Sequence, residues 1–253
     1  MKRDLIWNGA LITGATTGIG AALARRLVSR GTRVAICGRR VELLDSMRRE
    51  LGDALVTIKA DLSDTTRAIE VVSEAKERLG SLDLVVANAG FRINKPVTSI
   101  EPWEILTVLQ LNLLGACATL TAAIPHMVAE GRGHLVGISS IAAVRGFPMS
   151  AAYSASKAAL STFLESLRVD LRRSGIKVSD IRPGFIDTPM TQTNNFKMPF
   201  LMSADDAARL ILRALERERR VYTFPWQMAL AARFLRLLPP VVYDRFSSRR
   251  SSV

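Results

Sequence analysis

Short apolar runs alternate with segments of helical periodicity along most of this chain. Apolar residues recur every three to four positions in segments that predict amphipathic helices: 21–30, 43–51, 66–79, 103–123, 151–173 and 204–217. Between these segments lie runs that predict β-strands: 10–13, 34–37, 55–58, 84–87, 135–138, 178–181 and, more weakly, 221–224. This alternation predicts an α/β fold, a single doubly wound Rossmann-type domain whose mostly parallel seven-stranded sheet carries helices on both faces.

A glycine-rich turn, TGATTGIG at 13–20, connects the first predicted strand to the first predicted helix. Gly14, Gly18 and Gly20 allow a tight turn, a close approach of the backbone to a pyrophosphate, and tight packing of helix against strand. The helix start adds free N–H groups that can bind phosphate. Because ligands of such sheets bind at the carboxyl ends of the strands, the turn predicts a dinucleotide site.

The end of the second predicted strand indicates which dinucleotide is bound. An NAD site usually has a carboxylate there for the ribose 2′-hydroxyl, whereas an arginine accommodates the 2′-phosphate of NADP. This chain has Arg39 and Arg40 at that position and no acidic residue. We therefore expect NADP(H) to be preferred, with NAD(H) also usable; the alternative is that both arginines only contact solvent at a helix start.

Tyr153 and Lys157 are four residues apart in a predicted helix, so they share one face, and Ser140 precedes Tyr153 by thirteen residues. A buried or partly buried lysine beside a tyrosine favours the phenolate, and the sequence therefore predicts a Tyr153 pKa below its ordinary value near 10. Such a phenol can give or take a proton near neutral pH. Combined with the dinucleotide turn, this pair indicates hydride transfer.

These features occur together with other motifs in a fixed order. Asp61-Leu62 follows the third predicted strand and Asn88-Ala89-Gly90 follows the fourth; Asn112 lies in the next helix, and Pro183-Gly184 and Thr188 follow the sixth strand. With the glycine turn, Ser140, Tyr153 and Lys157, the chain resembles the short-chain dehydrogenase/reductase family over nearly its whole length.

The resemblance implies a role for each matching residue. Cofactor contacts are expected from the tyrosine and lysine and from the following residues: Gly14, Thr16, Gly18, Ile19, Gly20, Arg39, Arg40, Asp61, Leu62, Asn88, Ala89, Gly90, Pro183, Gly184, Ile186 and Thr188. Tyr153 would exchange a proton with the substrate oxygen, Ser140 would hydrogen-bond that oxygen, and Lys157 would hold the nicotinamide ribose. Asn112 would bend its helix and hold a water molecule that relays protons to Lys157.

One position departs from the pattern of NADP-preferring relatives. Many of them carry a basic residue just before the second glycine of the turn, where this chain has Thr17. Recognition of a 2′-phosphate would therefore depend mainly on Arg39 and Arg40, which keeps the use of both cofactors open.

The expected substrate pocket is rich in apolar residues. It should be formed by residues 91–93, 141–149 and 188–203, and the last segment contains several methionine and phenylalanine residues, namely Met190, Phe196, Met198, Phe200 and Met202. This composition favours a lipophilic ketone, aldehyde or alcohol over a sugar. The alternative is that these residues only cover the core.

Composition narrows the remaining function classes. The net charge is +12, but no nucleic-acid motif accompanies it, so we expect no nucleic-acid partner. His126 and His134 lack ligand-like spacing and are interpreted as helix-end and loop residues, with no metal expected. Two isolated cysteines, Cys37 and Cys117, favour reduced thiols and a cytoplasmic location. No export signal is identified, and no uninterrupted apolar run reaches the ~18 residues of a membrane span.

The last part of the chain is predicted to be an extension of the catalytic domain. Residues 1–224 would form the dinucleotide-binding domain, and 225–253 a helical extension whose first helix ends at Pro239-Pro240. Its apolar arc is too broad for a simple surface helix. It should pack on the domain, on another subunit of a homo-oligomer, or on a membrane surface with anionic lipid.

The sequence thus predicts an NADP(H)-dependent oxidoreductase that interconverts a carbonyl and an alcohol, with a small lipophilic substrate. Two alternatives remain open. The first is a nucleotide-binding regulatory or scaffold protein without turnover, and the second is an epimerase or dehydratase that uses the same tyrosine and causes no net change in the cofactor.

Overall fold

The fold is built around one sheet of seven parallel strands in the order β3-β2-β1-β4-β5-β6-β9. The computed structural model describes residues 7–194 and 196–247. The strands of the sheet are β1 (Gly9–Thr13), β2 (Arg33–Gly38), β3 (Leu55–Lys59), β4 (Leu84–Ala87), β5 (Gly133–Ile138), β6 (Ile176–Pro183) and β9 (Val221–Phe224). The predicted doubly wound fold is confirmed, and the strand order reverses between β1 and β4.

Helices cover both faces of the sheet. The helices are α1 (Gly18–Val28), α2 (Val41–Leu51), α3 (Thr65–Leu79), α4 (Pro102–Leu109), α5 (Ala116–Glu130), α6 (Ala151–Asp170), α7 (Pro189–Gln192), α8 (Ala204–Glu216), α9 (Trp226–Leu237) and α10 (Pro240–Ser247). Buried residues of α1, α2 and α8 form the core on one face, and those of α3, α5 and α6 form the core on the other. Each apolar face therefore lies against the sheet, as the periodicity predicted.

The long helix predicted at 103–123 is interrupted. A π-helical turn, Gln110–Gly115, separates α4 from α5. Glycine at position 115 allows close packing here, because a Cβ added to Gly115 would lie only 2.1 Å from the Leu62 carbonyl oxygen. Periodicity alone does not reveal such a turn, since residues 108–116 are apolar at most positions and mark no single face.

The same region, Pro102–Glu130, has the length and apolar composition of a membrane-spanning helix. In this fold, however, α5 contributes the fully buried Leu120, Ala123 and Met127 to the core beside α3 and the sheet. These contacts are typical of a core helix in an α/β domain.

Besides the short helix α7, two features were not predicted. A small parallel sheet pairs β7 (Ile186–Asp187) with β8 (Met202–Ser203), and two-residue strands are too short to show alternation. The second is α10, which begins at Pro240, although the prediction placed only an end there. Proline is well tolerated at the first position of a helix, so the same residues that end α9 also start α10.

The C-terminal helices are held against the loop that follows β5. Met228 and Ala232 of α9 are buried. Arg145 donates to the carbonyl oxygens of Leu235 and Leu238, at 2.8 Å and 2.7 Å. Its guanidinium also lies 4.3 Å from the ring centroid of Tyr243. The rest of the predicted extension, 248–253, lies outside the described residues.

Candidate active site

The carboxyl ends of the strands surround an open cavity of about 460 Å³. Its wall contains every residue that the sequence assigned to the site except Gly20 and Asn112. The strand ends bring the two predicted groups, the glycine turn and the Ser140–Tyr153–Lys157 set, to one cavity. A single ligand of dinucleotide size can therefore reach both.

The glycine turn depends on a close backbone contact. Gly14 has φ +62°, and a Cβ added there would lie 2.6 Å from the Cα of Ala89. The turn leads into α1, and within the described residues no side chain caps this helix start and no acidic residue lies in its first turn. Its N–H groups and the helix dipole therefore favour an anion such as a phosphate.

A network that the sequence analysis did not identify joins the turn to the end of β4. The Thr13 Oγ1 accepts hydrogen bonds from the backbone N–H groups of Asn88 (2.9 Å) and Ala89 (3.0 Å). The Asn88 side chain donates to the carbonyl oxygens of Thr13 and Gly14. A Cβ on Gly20 would lie 2.6 Å from the Asn88 Nδ2, so Gly20 serves packing behind the cavity wall. A hydroxyl at the last position of a buried strand was the available signal for Thr13.

The two arginines after β2 have different partners. Arg40 donates from Nη2 to the hydroxyls of Thr16 (3.2 Å) and Thr17 (3.5 Å). Arg39 is largely exposed, with Nη1 at 3.6 Å from a carboxylate oxygen of Asp61. Many NADP-preferring relatives carry a basic residue at the position of Thr17. In this chain, the guanidinium of Arg40 lies beside Thr17 and brings a positive charge to the same place.

Tyr153 is a partly buried residue of the cavity wall near Ser140. Burial raises the pKa of Tyr153 above its ordinary value, and the nearby Ser140 hydroxyl and the Arg92 charge offset only part of this effect. The prediction that the pKa of Tyr153 is lowered is therefore wrong. Desolvation of the phenolate outweighs the nearby charge, so Tyr153 keeps its proton at neutral pH.

Lys157 is buried on the same helix, one turn after Tyr153. Its Nζ donates to the carbonyl oxygen of Ile138 at 2.8 Å and lies 5.8 Å from the centroid of the Tyr153 ring. Burial lowers the pKa of Lys157 to about 8, and the charge of Asp180 acts in the opposite direction. The ammonium group thus remains charged at neutral pH.

Asn112 lies in the π-helical turn and is fully buried. Its Oδ1 accepts from the backbone N–H of Phe91 at 2.9 Å, while its Nδ2 donates to the Phe91 carbonyl at 2.9 Å and to the Ser156 Oγ at 3.1 Å. A Cβ on Gly90 would contact both the Asn112 Oδ1 and the Lys157 Nζ. Asn112 therefore fixes the segment after β4 directly behind Lys157.

A buried charged pair supports the other side of the site and was not identified from the sequence. The Asp180 carboxylate accepts a short hydrogen bond from Ser139 and one of 2.7 Å from the Arg182 Nε. Ser139 precedes Ser140, so this pair anchors the end of β5. Two polar residues in succession, Ser179 and Asp180, in the middle of a strand of the sheet were the signal in the sequence.

His134 was predicted to lie in a loop, but it lies in β5. Its Nε2 is 2.8 Å from the Ser179 Oγ, and burial lowers the pKa of His134 to about 4. His126 lies in α5. Within residues 7–194 and 196–247, no three His, Cys, Asp or Glu residues are grouped so that they could hold a metal ion.

The expected substrate pocket is only partly formed by the predicted residues. Phe91, Arg92 and Met190 line the cavity. Phe196 is half exposed and packs edge-on against Phe185, with ring centroids 5.9 Å apart. Phe200 is 52% exposed. The apolar residues of this loop therefore lie mostly at the rim.

Comparison with known proteins identifies the family. The sequence model of the short chain dehydrogenase family matches residues 8–198. An uncharacterized oxidoreductase of Myxococcus xanthus is 44% identical over 250 residues, which cover 97% of this chain and 98% of that protein. The chain therefore belongs to the short chain dehydrogenase family and is an oxidoreductase.

Solved structures agree with this assignment. The 3-ketoacyl-(acyl-carrier-protein) reductase of Brucella melitensis, complexed with NADH, has a TM-score of 0.79 at 26% identity, covering 85% of this chain and 94% of its own. An alcohol dehydrogenase of the archaeon Thermococcus sibiricus, complexed with 5-hydroxy-NADP, has a TM-score of 0.77 at 27% identity, covering 86% and 95%. The nucleotide-binding Rossmann-type fold is thus common to all three.

Proposed function

We propose that this protein interconverts a carbonyl compound and an alcohol with NADP(H), and that Tyr153, Ser140 and Lys157 form its catalytic group. One observation carries the proposal. These three side chains line the same cavity as the glycine turn at the start of α1. Proton transfer and dinucleotide binding thus have one place to occur together.

The residues present fit a nicotinamide dinucleotide. The uncapped start of α1 and the left-handed glycines at 14 and 18 leave backbone N–H groups and space for a pyrophosphate. Asp61 and Leu62 would border the adenine, and residues 88–90 would line the cleft. Residues Pro183, Gly184, Ile186 and Thr188 would enclose the nicotinamide. When bound, NADPH supplies the hydride.

The protein's side chains would manage the proton and the substrate oxygen. Tyr153, protonated at neutral pH because burial raises its pKa, would donate from its hydroxyl to the carbonyl oxygen. Ser140 would hydrogen-bond the same oxygen and stabilise negative charge that develops on it. Lys157 would hold the cofactor ribose, and Asn112 would position the backbone behind Lys157.

The preference for NADP(H) is supported by Arg39 and Arg40. The residues directly after β2 are Arg39 and Arg40 rather than an acidic residue, and Arg40 already bridges to the turn through Thr16 and Thr17. A guanidinium there can bind a 2′-phosphate through two N–H groups. Because Asp61 pairs with Arg39, it partly neutralises the charge that would bind the 2′-phosphate. NAD(H), which lacks that phosphate, would therefore be used as a secondary cofactor.

A lipophilic substrate is supported by the rim of the cavity. Met190 lines it, and the half-exposed Phe196, Phe200 and Leu201 belong to the loop that leads to β8. Such side chains would contact an apolar chain attached to the reacting carbonyl.

The decisive assay measures nicotinamide absorbance with NADPH and NADH against ketones and aldehydes of graded chain length, and with NADP+ against the matching alcohols. We expect turnover that is faster with NADPH and that increases with chain length. Absence of turnover across the panel, despite cofactor binding, would instead favour the scaffold alternative. Conversion of substrate without a net change in absorbance would favour an epimerase or dehydratase.

We further propose that the two C-terminal helices, residues 226–247, extend the catalytic domain 1–224 and place it on an anionic membrane surface. Helix α9 carries exposed apolar residues at helical spacing, namely Trp226, Leu230, Phe234 and Leu237, and α10 adds the exposed Val241. Arg233 and Arg236 lie among them, exposed, and the whole chain carries a charge of +12. Apolar contact together with basic side chains suits anionic headgroups.

Vesicle flotation tests this membrane proposal. We expect flotation with phosphatidylserine-containing vesicles, weaker flotation with neutral vesicles, and loss of both in Leu230→Glu/Phe234→Glu. Val169→Glu, another exposed apolar position, on α6, is the control. A double variant that floats like the wild type would exclude the membrane, and a lower native mass would assign the surface to a second subunit.

The protein is proposed to act in the cytoplasm as a homo-oligomer. Both cysteines are free, which is typical of a reducing compartment. Exposed apolar residues of α4, Trp103 and Leu106, offer a surface for a second copy. Native mass spectrometry of the wild type and of Trp103→Glu/Leu106→Glu would show whether the larger species depends on this surface.

A further inference from the structure

Arg92 is a charged residue of the cavity wall for which the proposed reaction has no use. It follows Gly90 by two positions, is half-buried, and lines the cavity together with Tyr153 and Ser140. Its charge is close enough to Tyr153 to lower the pKa of that phenol. The guanidinium thus lies beside the position where a substrate carbonyl would react.

The partner of Arg92 is neutral. One of its N–H groups donates a short hydrogen bond to the side-chain oxygen of Asn194. Within residues 7–194 and 196–247, no ion pair joins Arg92 to a carboxylate. Burial disfavours the charged form and lowers its pKa. A half-buried guanidinium whose partner in the protein is neutral has further N–H donors that an anionic ligand can use.

The distribution of charge along the cavity also indicates an anionic ligand near Arg92. The carboxylate in its wall, that of Asp61, lies at the far end and pairs with Arg39. The end near Tyr153 contains two cationic groups, Arg92 and Lys157, and no acidic residue among the described residues that line the cavity. The Asp180 carboxylate, whose charge also acts on Lys157, is paired with Arg182, so the two cationic groups of the wall favour an anionic ligand at this end.

We propose that Arg92 binds an anionic group of the substrate, a carboxylate or a phosphate monoester, so that the enzyme acts on amphiphilic carbonyl compounds. This inference rests on the proposed function for the reaction, while the binding of the anion stands on the cavity itself. The anion would contact Arg92, the carbonyl would lie at Tyr153 and Ser140, and the apolar chain would run toward Met190 and the rim. An anion on Arg92 also offsets its charge beside Tyr153, which favours the protonated phenol that donates in reduction.

Matched substrates test the proposal in turnover. 4-Oxononanoate and its methyl ester share the ketone and the chain but differ in charge. We expect the wild type to prefer the acid by ~10-fold or more in kcat/KM, mainly through KM, as a charge-assisted hydrogen bond implies. Arg92→Leu should bring the ratio of kcat/KM for the acid to kcat/KM for the ester to about one, whatever it does to the ester alone, and Arg92→Lys should retain part of the preference. Arg213→Leu, an exposed arginine of α8, should behave as the wild type.

Binding without turnover separates this inference from the proposed function. Calorimetry with NADP+ present compares octanoate, octyl phosphate and octanamide, which cannot be reduced. We expect at least one of the two anions to bind ~10-fold more tightly than the amide, with the difference lost in Arg92→Leu. The stronger anion identifies the group.

Equal binding of all three compounds, or an anion preference that Arg92→Leu retains, would overturn the role of Arg92. If the preference depends on Arg92 but no carbonyl in the panel is reduced, the proposed reaction fails while the anion site stands. If ketones are reduced without an anion preference, the proposed reaction stands while the anion site at Arg92 fails.

Discussion

The two ends of the cavity are built in different ways. The cofactor end is made of strand termini and tight turns: Gly14 contacts Ala89, and Thr13 and Asn88 bond across from β1 to β4. The substrate end is made of longer loops, in which Arg92 bonds Asn194 across separate segments and Phe196 packs on Phe185. Contacts that involve backbone atoms shape the first end, whereas contacts between side chains shape the second.

This difference determines which properties a sequence can reveal. At the cofactor end a single added carbon would meet backbone atoms, so residue type is dictated by geometry. At the substrate end, half-exposed side chains can be exchanged without disturbing the fold. The chemistry common to the family therefore resides at the first end and the choice of substrate at the second.

The largest effect is expected where the two ends meet, at Tyr153. Tyr153→Phe removes the proton donor and keeps the ring, so kcat should fall by ~10²–10⁴-fold while the Kd for NADPH stays within about twofold. Steady-state kinetics and a fluorescence titration of NADPH measure the two quantities. Tyr222→Phe, whose ring stacks on Phe224, is the control and should keep full activity. A near-normal rate in Tyr153→Phe would reject the assignment.

Changing Gly14 tests whether the cofactor end depends on close backbone packing. Gly14→Ala adds left-handed strain and an overlap with Ala89, and we expect a loss of ~2–4 kcal/mol of unfolding free energy together with loss of NADPH binding. Gly131→Ala is the matched control, because Gly131 has nearly the same φ, +65°, with no atom within 4 Å of an added Cβ. It should lose only ~1 kcal/mol. Equal losses in denaturant titrations of the two variants would show that overlap contributes nothing.

Arg40 tests the recognition of the 2′-phosphate. Arg40→Gln removes a charge-assisted contact, so kcat/KM for NADPH should fall by ~10–100-fold while that for NADH hardly changes. Arg49→Gln, which removes an exposed charge from α2, should leave the ratio of the two values as it is in the wild type. An unaltered ratio in Arg40→Gln would place the 2′-phosphate elsewhere.

The smallest effect is the dependence of the rate on pH. Because the pKa of Lys157 is lowered to about 8, its charge is complete below that pH and is lost as pH rises through it. kcat/KM for reduction should be level near pH 7 and decrease by up to ~10-fold per unit above pH 8. Tyr153 should add no decrease in this range, since burial raises its pKa.

Lys157→Arg is the diagnostic variant for this profile. An arginine keeps its charge throughout the range, so its profile should be level at a lower rate. A wild-type profile that stays level to pH 9.5, or the same decrease in Lys157→Arg, would contradict the assignment of this ionisation to Lys157.

The sheet and most of the site could be predicted from the sequence because both follow from local pattern. Strands such as 84–87 are continuous apolar runs, and the segments after them carry fixed motifs. The buried environment of Asn112 follows from a π-helical turn, whose signal is a single residue in a long helix. Its hydrogen bonds to Phe91 could therefore not be read from spacing.

The errors concern quantities that depend on tertiary burial. The pKa of Tyr153 was expected below its ordinary value because Lys157 is near in sequence, but desolvation dominates once the ring is enclosed. His134 was expected in a loop, since the predicted strand began at residue 135, yet it lies in β5, where its ring contacts the Ser179 hydroxyl. Neither the enclosing atoms nor Ser179 is close to these residues in the sequence.

Isotope transfer tests the central claim most directly. NADPH carrying deuterium at the transferable position of C4 is incubated with the wild type and the best ketone of the panel, and the alcohol is analysed by mass spectrometry and NMR. The account predicts one deuterium at the new carbinol carbon for each NADPH oxidised, with the label absent from product in Tyr153→Phe at equal times. A product without deuterium at that carbon, or conversion with no NADPH oxidised, would contradict it.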